Sequence, residues 1–152
     1  MRDCMRNLLT LAALLALAST AMAQDAMKVV KSDALVWKDH PVFKGAKVAT
    51  LIGDPSKAEV VVQRVKIPPN SKIPPHTHSY GEVVTVLSGH YGNAMGDEKG
   101  EVLAPGSVFA LPAGHVHHTW TESEEVIAQV NFVGPANITF VNPADDPRKK
   151  TP

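Results

Sequence analysis

Pro75-His76-Thr77-His78-Ser79-Tyr80-Gly81-Glu82 is the stretch on which the reading of this chain turns, and a second histidine cluster at His115, His117 and His118 answers it. The chain has seven histidines, and five of them sit in these two places. On an extended strand, residues two apart project from one face about 6.5 Å apart. The imidazoles of His76 and His78 can therefore converge on a single ion, and Glu82 has the parity to join them. Imidazole plus carboxylate suits Zn, Fe, Mn, Ni or Cu rather than Ca or Mg. The stretch predicts extended backbone and a transition-metal site together.

Outward from it, the punctuation reads as β. Val60 to Ile67, Glu82 to Leu87, Ser107 to Leu111, Glu125 to Val133 and Asn137 to Val141 are short β-branched runs bounded by Gly, Pro, Asn or Asp. Val48 to Ile52 can pair as an outer strand, and residues 25 to 50 otherwise carry little pattern. No segment after residue 24 sustains a helical period. Short strands at regular spacing predict a sandwich or barrel, and a jelly roll is one way such sheets manage their edges. Pro68-Pro69 and Pro74-Pro75 bracket Asn70-Ser71-Lys72-Ile73. Because proline fixes φ and cannot donate to a ladder, this predicts a stiff loop that delivers His76 in one orientation.

The spacing His76-x-His78, three residues, Glu82, six residues, Gly89 resembles the first motif of the cupin superfamily. Gly106, five residues, Pro112-x-Gly114, two residues, His117 resembles the second. Two positions depart from the pattern. Asn70 stands where a Gly usually opens the first motif, and Thr121 where an Asn closes the second. Asn tolerates the left-handed conformation better than most residues; Thr121 matters if its position supports a ligand. The segments around Leu51 to Lys57 and Asn142 to Arg148 also look like those of small bacterial cupins. The resemblance covers residues 70–121 and implies an all-β, single-domain jelly-roll barrel. It further implies one divalent metal ion held by His76, His78, Glu82 and His117.

The first residues read as an address. Arg2 and Arg6 precede an apolar run from Leu8 to Ala18, and Ala21-Met22-Ala23 supplies the small-x-small pattern before a signal-peptidase cut. The run is well short of the ~20 residues that span a bilayer. The expectation is a leader over residues 1–23, a mature start at Gln24, a single domain over 24–152, and a periplasmic or secreted product. Met5 is an alternative start to Met1. In either case Cys4, the only cysteine, falls in the leader, leaving no thiol for a disulfide or a metal. The formal charge is zero and the only basic run is Arg148-Lys149-Lys150. Neither nucleic acid nor an anionic membrane is implied as a partner; a small-molecule ligand is, and a homodimer is compatible.

The remaining candidates divide by parity. His115 sits in the turn after Gly114 and is read as a rim residue or a support for a ligating ring, the sole candidate for proton transfer, rather than a ligand. His118 and Trp120 alternate away from His117, toward packing or surface. His90, after Ser88-Gly89, and His40, before Pro41, are read as solvent-facing. Tyr80 is a pocket wall or a loop aromatic. Glu82 is a ligand ahead of a general base. Gln129 and Asn131 share a face of an apolar strand and either point into the barrel, supporting a ligating ring or touching substrate, or face out.

A site of this kind, with Val, Leu, Phe and Met walls, suits a small, partly apolar substrate. By family analogy the leading expectation is oxygenase chemistry. A noncatalytic metal or small-ligand binding module and a metal-dependent isomerase or decarboxylase are the alternatives.

Overall fold

In the run Val60-Val61-Val62-Gln63-Arg64-Val65-Lys66-Ile67, the side chains of Val61, Val65 and Ile67 are buried while Val60 is exposed. That alternation is what a strand with one face on a core requires. The computed structural model describes residues 27–149, so the expected leader and its cleavage point lie outside the described residues. The strands are β1 (Lys38–Asp39), β2 (Lys47–Ile52), β3 (Val60–Ile67), β4 (Lys72–Thr77), β5 (Glu82–Ser88), β6 (Tyr91–Met95), β7 (Glu101–Leu103), β8 (Val108–Leu111), β9 (His117–Thr121), β10 (Val126–Val133) and β11 (Thr139–Phe140). The helical elements among the described residues are three-residue 3-10 turns.

Two antiparallel sheets face each other, one ordered β1-β2-β3-β10-β5-β8 and the other β11-β4-β9-β6-β7. This is the expected jelly roll. Val65, Ile67, Ile73, Val84, Val86, Tyr91, Val126 and Ala128 form the core between them. Burial of such aliphatic side chains contributes roughly 1.5–3 kcal/mol each and is the main force closing one sheet on the other.

Turn chemistry matches the two motifs. Asn70 adopts φ 56°, the left-handed conformation that a Gly in its place would take most easily. Gly89 has φ 72°, and a Cβ there would lie 2.4 Å from the Glu125 carbonyl oxygen. Thr121 is buried and closes the entry loop: its hydroxyl donates to the Pro68 carbonyl at 2.7 Å and accepts from the Ser71 N–H at 2.9 Å. The residue that departs from the motif therefore ties the loop leading into β4, and it does not line the histidine cavity.

The double-proline segment is a correction. Rather than a loop as far as His76, residues 72–77 form β4, paired with β9 and β11. The strand tolerates Pro74 and Pro75 because the β4–β9 register shifts between Ile73 and His76, where ladder donors are not needed. Their carbonyls are still used: Pro75 accepts from the Val141 N–H at 2.9 Å and Pro74 from a His76 ring nitrogen.

Candidate metal and ligand site

His76 lies on β4 directly opposite His117 on β9, His78 follows the end of β4, and Glu82 opens β5. Antiparallel pairing thus brings the two sequence clusters to one place inside the barrel. The ring centroids of His76 and His117 are 4.2 Å apart, those of His76 and His78 5.1 Å, and those of His78 and His117 5.2 Å. One ligand atom from each of the three rings lies within 4.8 Å of the others. Glu82 approaches through His117, its Oε1 3.6 Å from His117 Nε2. All four are buried, at 2% (His76), 3% (His117), 9% (His78) and 9% (Glu82) exposure. That burial distinguishes them from solvated side chains on a strand edge.

The orientation of the rings is more telling than their proximity. His76 Nδ1 faces the Pro74 carbonyl at 2.7 Å, His78 Nδ1 faces the Asn137 carbonyl at 2.6 Å, and His117 Nδ1 faces the His115 carbonyl at 3.3 Å. A carbonyl only accepts, so each Nδ1 must be the protonated nitrogen. In a neutral imidazole this leaves Nε2 with a free lone pair. Three backbone carbonyls therefore fix the tautomer that a metal ion needs.

Burial is also the main cause of the site's titration. It depresses His76 to about 3, with His117 adding to the effect, depresses His117 to about 4, and lowers His78. Burial pushes Glu82 up to about 7. Desolvation disfavours every charged form here, and a divalent cation would reverse that for the carboxylate. Three neutral imidazoles beside a buried carboxyl fit a borderline transition metal better than a hard alkaline-earth ion.

The cavity holds about 70 Å³, room for a few waters or a small molecule. Its apolar wall comes from Phe43, Val65, Ile73, Val84, Val130 and Phe132. The expected Val and Phe are present, Ile takes the place of Leu and Met, and two tyrosines join them. Tyr80 is a wall residue, stacked on His78 (5.0 Å) and Phe132 (4.4 Å). Tyr91 sits deeper, its hydroxyl 3.2 Å from Thr119 Oγ1.

One other assignment changes, and two that were left open are decided. His40 is not solvent-facing: it lines the same cavity and stacks on Phe43, with centroids 4.3 Å apart. Gln129 and Asn131 do not point inward. Val126, Ala128, Val130 and Phe132 occupy the core face of β10, and the two amides pair with each other on the outer face, Asn131 also donating to the Val83 carbonyl at 3.2 Å. His115 is exposed and its ring does not line the cavity; its contribution is the backbone carbonyl facing His117. His118 and Trp120 lie off the site and stack on each other, and His90 is exposed beside Glu124, as their parity and position predict.

A Cupin domain family model matches residues 63–134, which contain all four motif residues. No curated protein sequence matches the chain. Among solved structures, the polyketide cyclase RemF from Streptomyces resistomycificus is similar over 80% of this chain and 90% of its own, at 25% identity and TM-score 0.69. The DMSP lyase DddQ from Ruegeria pomeroyi DSS-3 is similar over 73% of this chain and 63% of its own, at 21% identity and TM-score 0.61. A RmlC-like cupin from Shewanella frigidimarina NCIMB 400 is similar over 71% and 91%, at 18% identity and TM-score 0.60. Residues 63–134 are a cupin domain, and the two-sheet fold around them is the one found in the similar cupin structures.

Proposed function

We propose that this protein is a mononuclear metal-dependent enzyme in which His76, His78, Glu82 and His117 hold one divalent ion and act on a small, partly apolar organic substrate. The observation that carries the reading is the set of three Nδ1–carbonyl pairs, which leaves three Nε2 lone pairs in a buried cavity. A noncatalytic binding module uses the same ligands. Turnover separates the two.

The reaction class we favour is oxygenase chemistry. A bound iron, manganese or copper ion would supply redox activity and Lewis acidity. The chain's own groups do the rest: the aromatic and aliphatic walls exclude water, and the backbone carbonyls hold the ligating rings in place. Dioxygen consumption by metal-reconstituted protein against a panel of enolic, diketone and phenolic compounds tests this directly. Consumption coupled to product supports it, and full turnover under strict anaerobiosis rules it out.

A second reading is Lewis-acid chemistry with proton transfer, as in an isomerase or lyase. What favours it is the position of Glu82, a buried carboxyl that touches the histidine cluster only through His117. Similar structures that carry the names cyclase and lyase point the same way. Anaerobic turnover that is lost in Glu82→Gln with metal retained would establish it.

We further propose export to the periplasm or beyond, with cleavage after Ala23. The charged start, the short apolar run and Ala21-Met22-Ala23 support this. N-terminal sequencing of exported protein should begin at Gln24.

A further inference from the structure

His40 differs from the three clustered histidines in one decisive respect. Its Nδ1 is met by backbone amides and not by a carbonyl: the Phe43 N–H donates to it at 2.9 Å and the Val42 N–H at 3.2 Å. An amide only donates, so this Nδ1 must carry the lone pair, and in the neutral ring the proton sits on Nε2. Burial together with the nearby His78 depresses the His40 pKa to about 4, in keeping with a neutral ring. A ring with its lone pair committed to backbone amides and its proton on the other nitrogen cannot also ligate a metal without becoming an imidazolate. His40 is therefore a donor in a cavity whose three other imidazoles are lone-pair acceptors.

Its location gives that donor a use. His40, Gln63, Tyr80 and Ile138 line both the inner histidine cavity and the outer groove that also runs past Lys38, Pro55 and Asn137. These four residues are shared by the two spaces, which places His40 where the groove and the cavity adjoin. The ring is held by its stacking on Phe43 and by the Val42–Phe43 turn, so little side-chain freedom is lost when it binds something.

We propose that His40 presents its Nε2–H at the mouth of the cavity as a hydrogen-bond donor to an oxygen of the ligand held at the histidine cluster. This selects small molecules with a carboxylate, enolate or phenolate oxygen next to an apolar body. The inference rests on the metal-site reading above.

Two substitutions separate this role from capping of the turn. In His40→Asn, the side-chain oxygen can accept from the Val42 and Phe43 amides as Nδ1 does, while the donor at the cavity is removed. In His40→Gln, the longer amide can offer an N–H near the Nε2 position while the cap is lost. The probe is acetohydroxamate, titrated into cobalt(II)-loaded protein and followed by the visible absorption of the metal, with metal content and thermal midpoint measured alongside. The expected result for His40→Asn is unchanged metal content, a midpoint near that of the parent, and affinity weakened roughly five- to tenfold, the loss of one hydrogen bond. His40→Gln should bind the probe more tightly than His40→Asn despite a lower midpoint. Parent affinity in His40→Asn with metal retained overturns the inference and leaves the metal site standing. Loss of cobalt from His40→Asn shows that the ring is a ligand and overturns it too. If the parent protein takes up no cobalt, the metal-site reading fails and this inference falls with it.

Discussion

The ring of His78 is anchored across 59 positions of sequence: its Nδ1 donates to the backbone carbonyl of Asn137 at 2.6 Å. The same Asn137 grips the neighbouring residue through its side chain, its Oδ1 accepting from the Ser79 N–H at 2.9 Å and its amide meeting the Ser79 hydroxyl. A loop ahead of β11 thus holds a candidate metal ligand that follows β4. Residues that orient ligating histidines typically alter metal affinity ten- to a hundredfold. Asn137→Ala keeps the carbonyl but frees the clamp, so metal affinity should fall about tenfold, at the weak end of that range. Competition against a chelator of known affinity measures it, and no change would show that the clamp does not orient His78.

Metal uptake should release protons from one group only. The histidines are already neutral near pH 7, since burial depresses His76 to about 3 and His117 to about 4 and lowers His78. Glu82, pushed up to about 7, is largely protonated at pH 6 and must ionise to face a cation. Calorimetry in buffers of different ionisation heat should give close to one proton released per metal at pH 6, almost none at pH 8.5, and none at pH 6 in Glu82→Gln. Release of two or three protons at pH 6 would mean that the rings are charged in the metal-free protein.

The metal-free protein should lose stability on mild acidification. His76, His117 and His40 hold folded pKa values of about 3, about 4 and about 4, and His78 is also lowered. The unfolded chain takes up protons near pH 6.5 that the folded chain refuses. Stability therefore declines as pH falls from about 6.5 toward 4. Glu82 acts in the opposite sense, since its raised pKa makes acidification from about 7 to 4.5 favourable to the folded state. Four rings outweigh one carboxyl. Thermal midpoints of the metal-free protein should fall between pH 6.5 and 5, and a rise over that interval would contradict the buried neutral cluster.

Thr121 and Gly92 test the frame around the site. Thr121→Val removes the acceptor of the Ser71 N–H and the donor to Pro68, for a loss of about 1–3 kcal/mol, whereas Thr121→Ser should cost less than about 1 kcal/mol. At Gly92 a Cβ would lie 2.1 Å from the Trp120 ring packed over it. Gly92→Ala should therefore destabilise by about 1–3 kcal/mol through overpacking. Denaturant unfolding with unchanged slope measures both, and a neutral Gly92→Ala would show that Trp120 is free to move.

The cluster of His76, His78, Glu82 and His117 was legible in the sequence through the two motifs; parity along one extended strand does not explain Glu82, because the strand breaks at residues 78–81 and Glu82 enters from the opposite sheet. His40 was not, because what makes it a cavity residue is the turn Pro41–Phe43 folding back and Phe43 stacking on its ring, and neither has a local pattern. Gln129 and Asn131 were open to either face because amides drew attention to their own parity; the apolar alternation Val126, Ala128, Val130, Phe132 is the one that follows the core. In β4, proline argued for a loop, and only the register shift against β9 shows why two prolines can sit in a strand. β6 and β7 were missed since Tyr91-Gly92-Asn93-Ala94-Met95 and Glu101-Val102-Leu103 carry few β-branched residues and owe their form to pairing with β9 and each other.

The central claim, that four side chains from β4, β5, β9 and the turn after β4 hold one metal, is tested most directly by metal content. Untagged protein recovered from its native compartment should contain one transition-metal ion per chain. His78→Ala and His117→Ala, folded by circular dichroism, should each lose tight stoichiometric binding. Equal metal content in the parent and both variants would contradict the account.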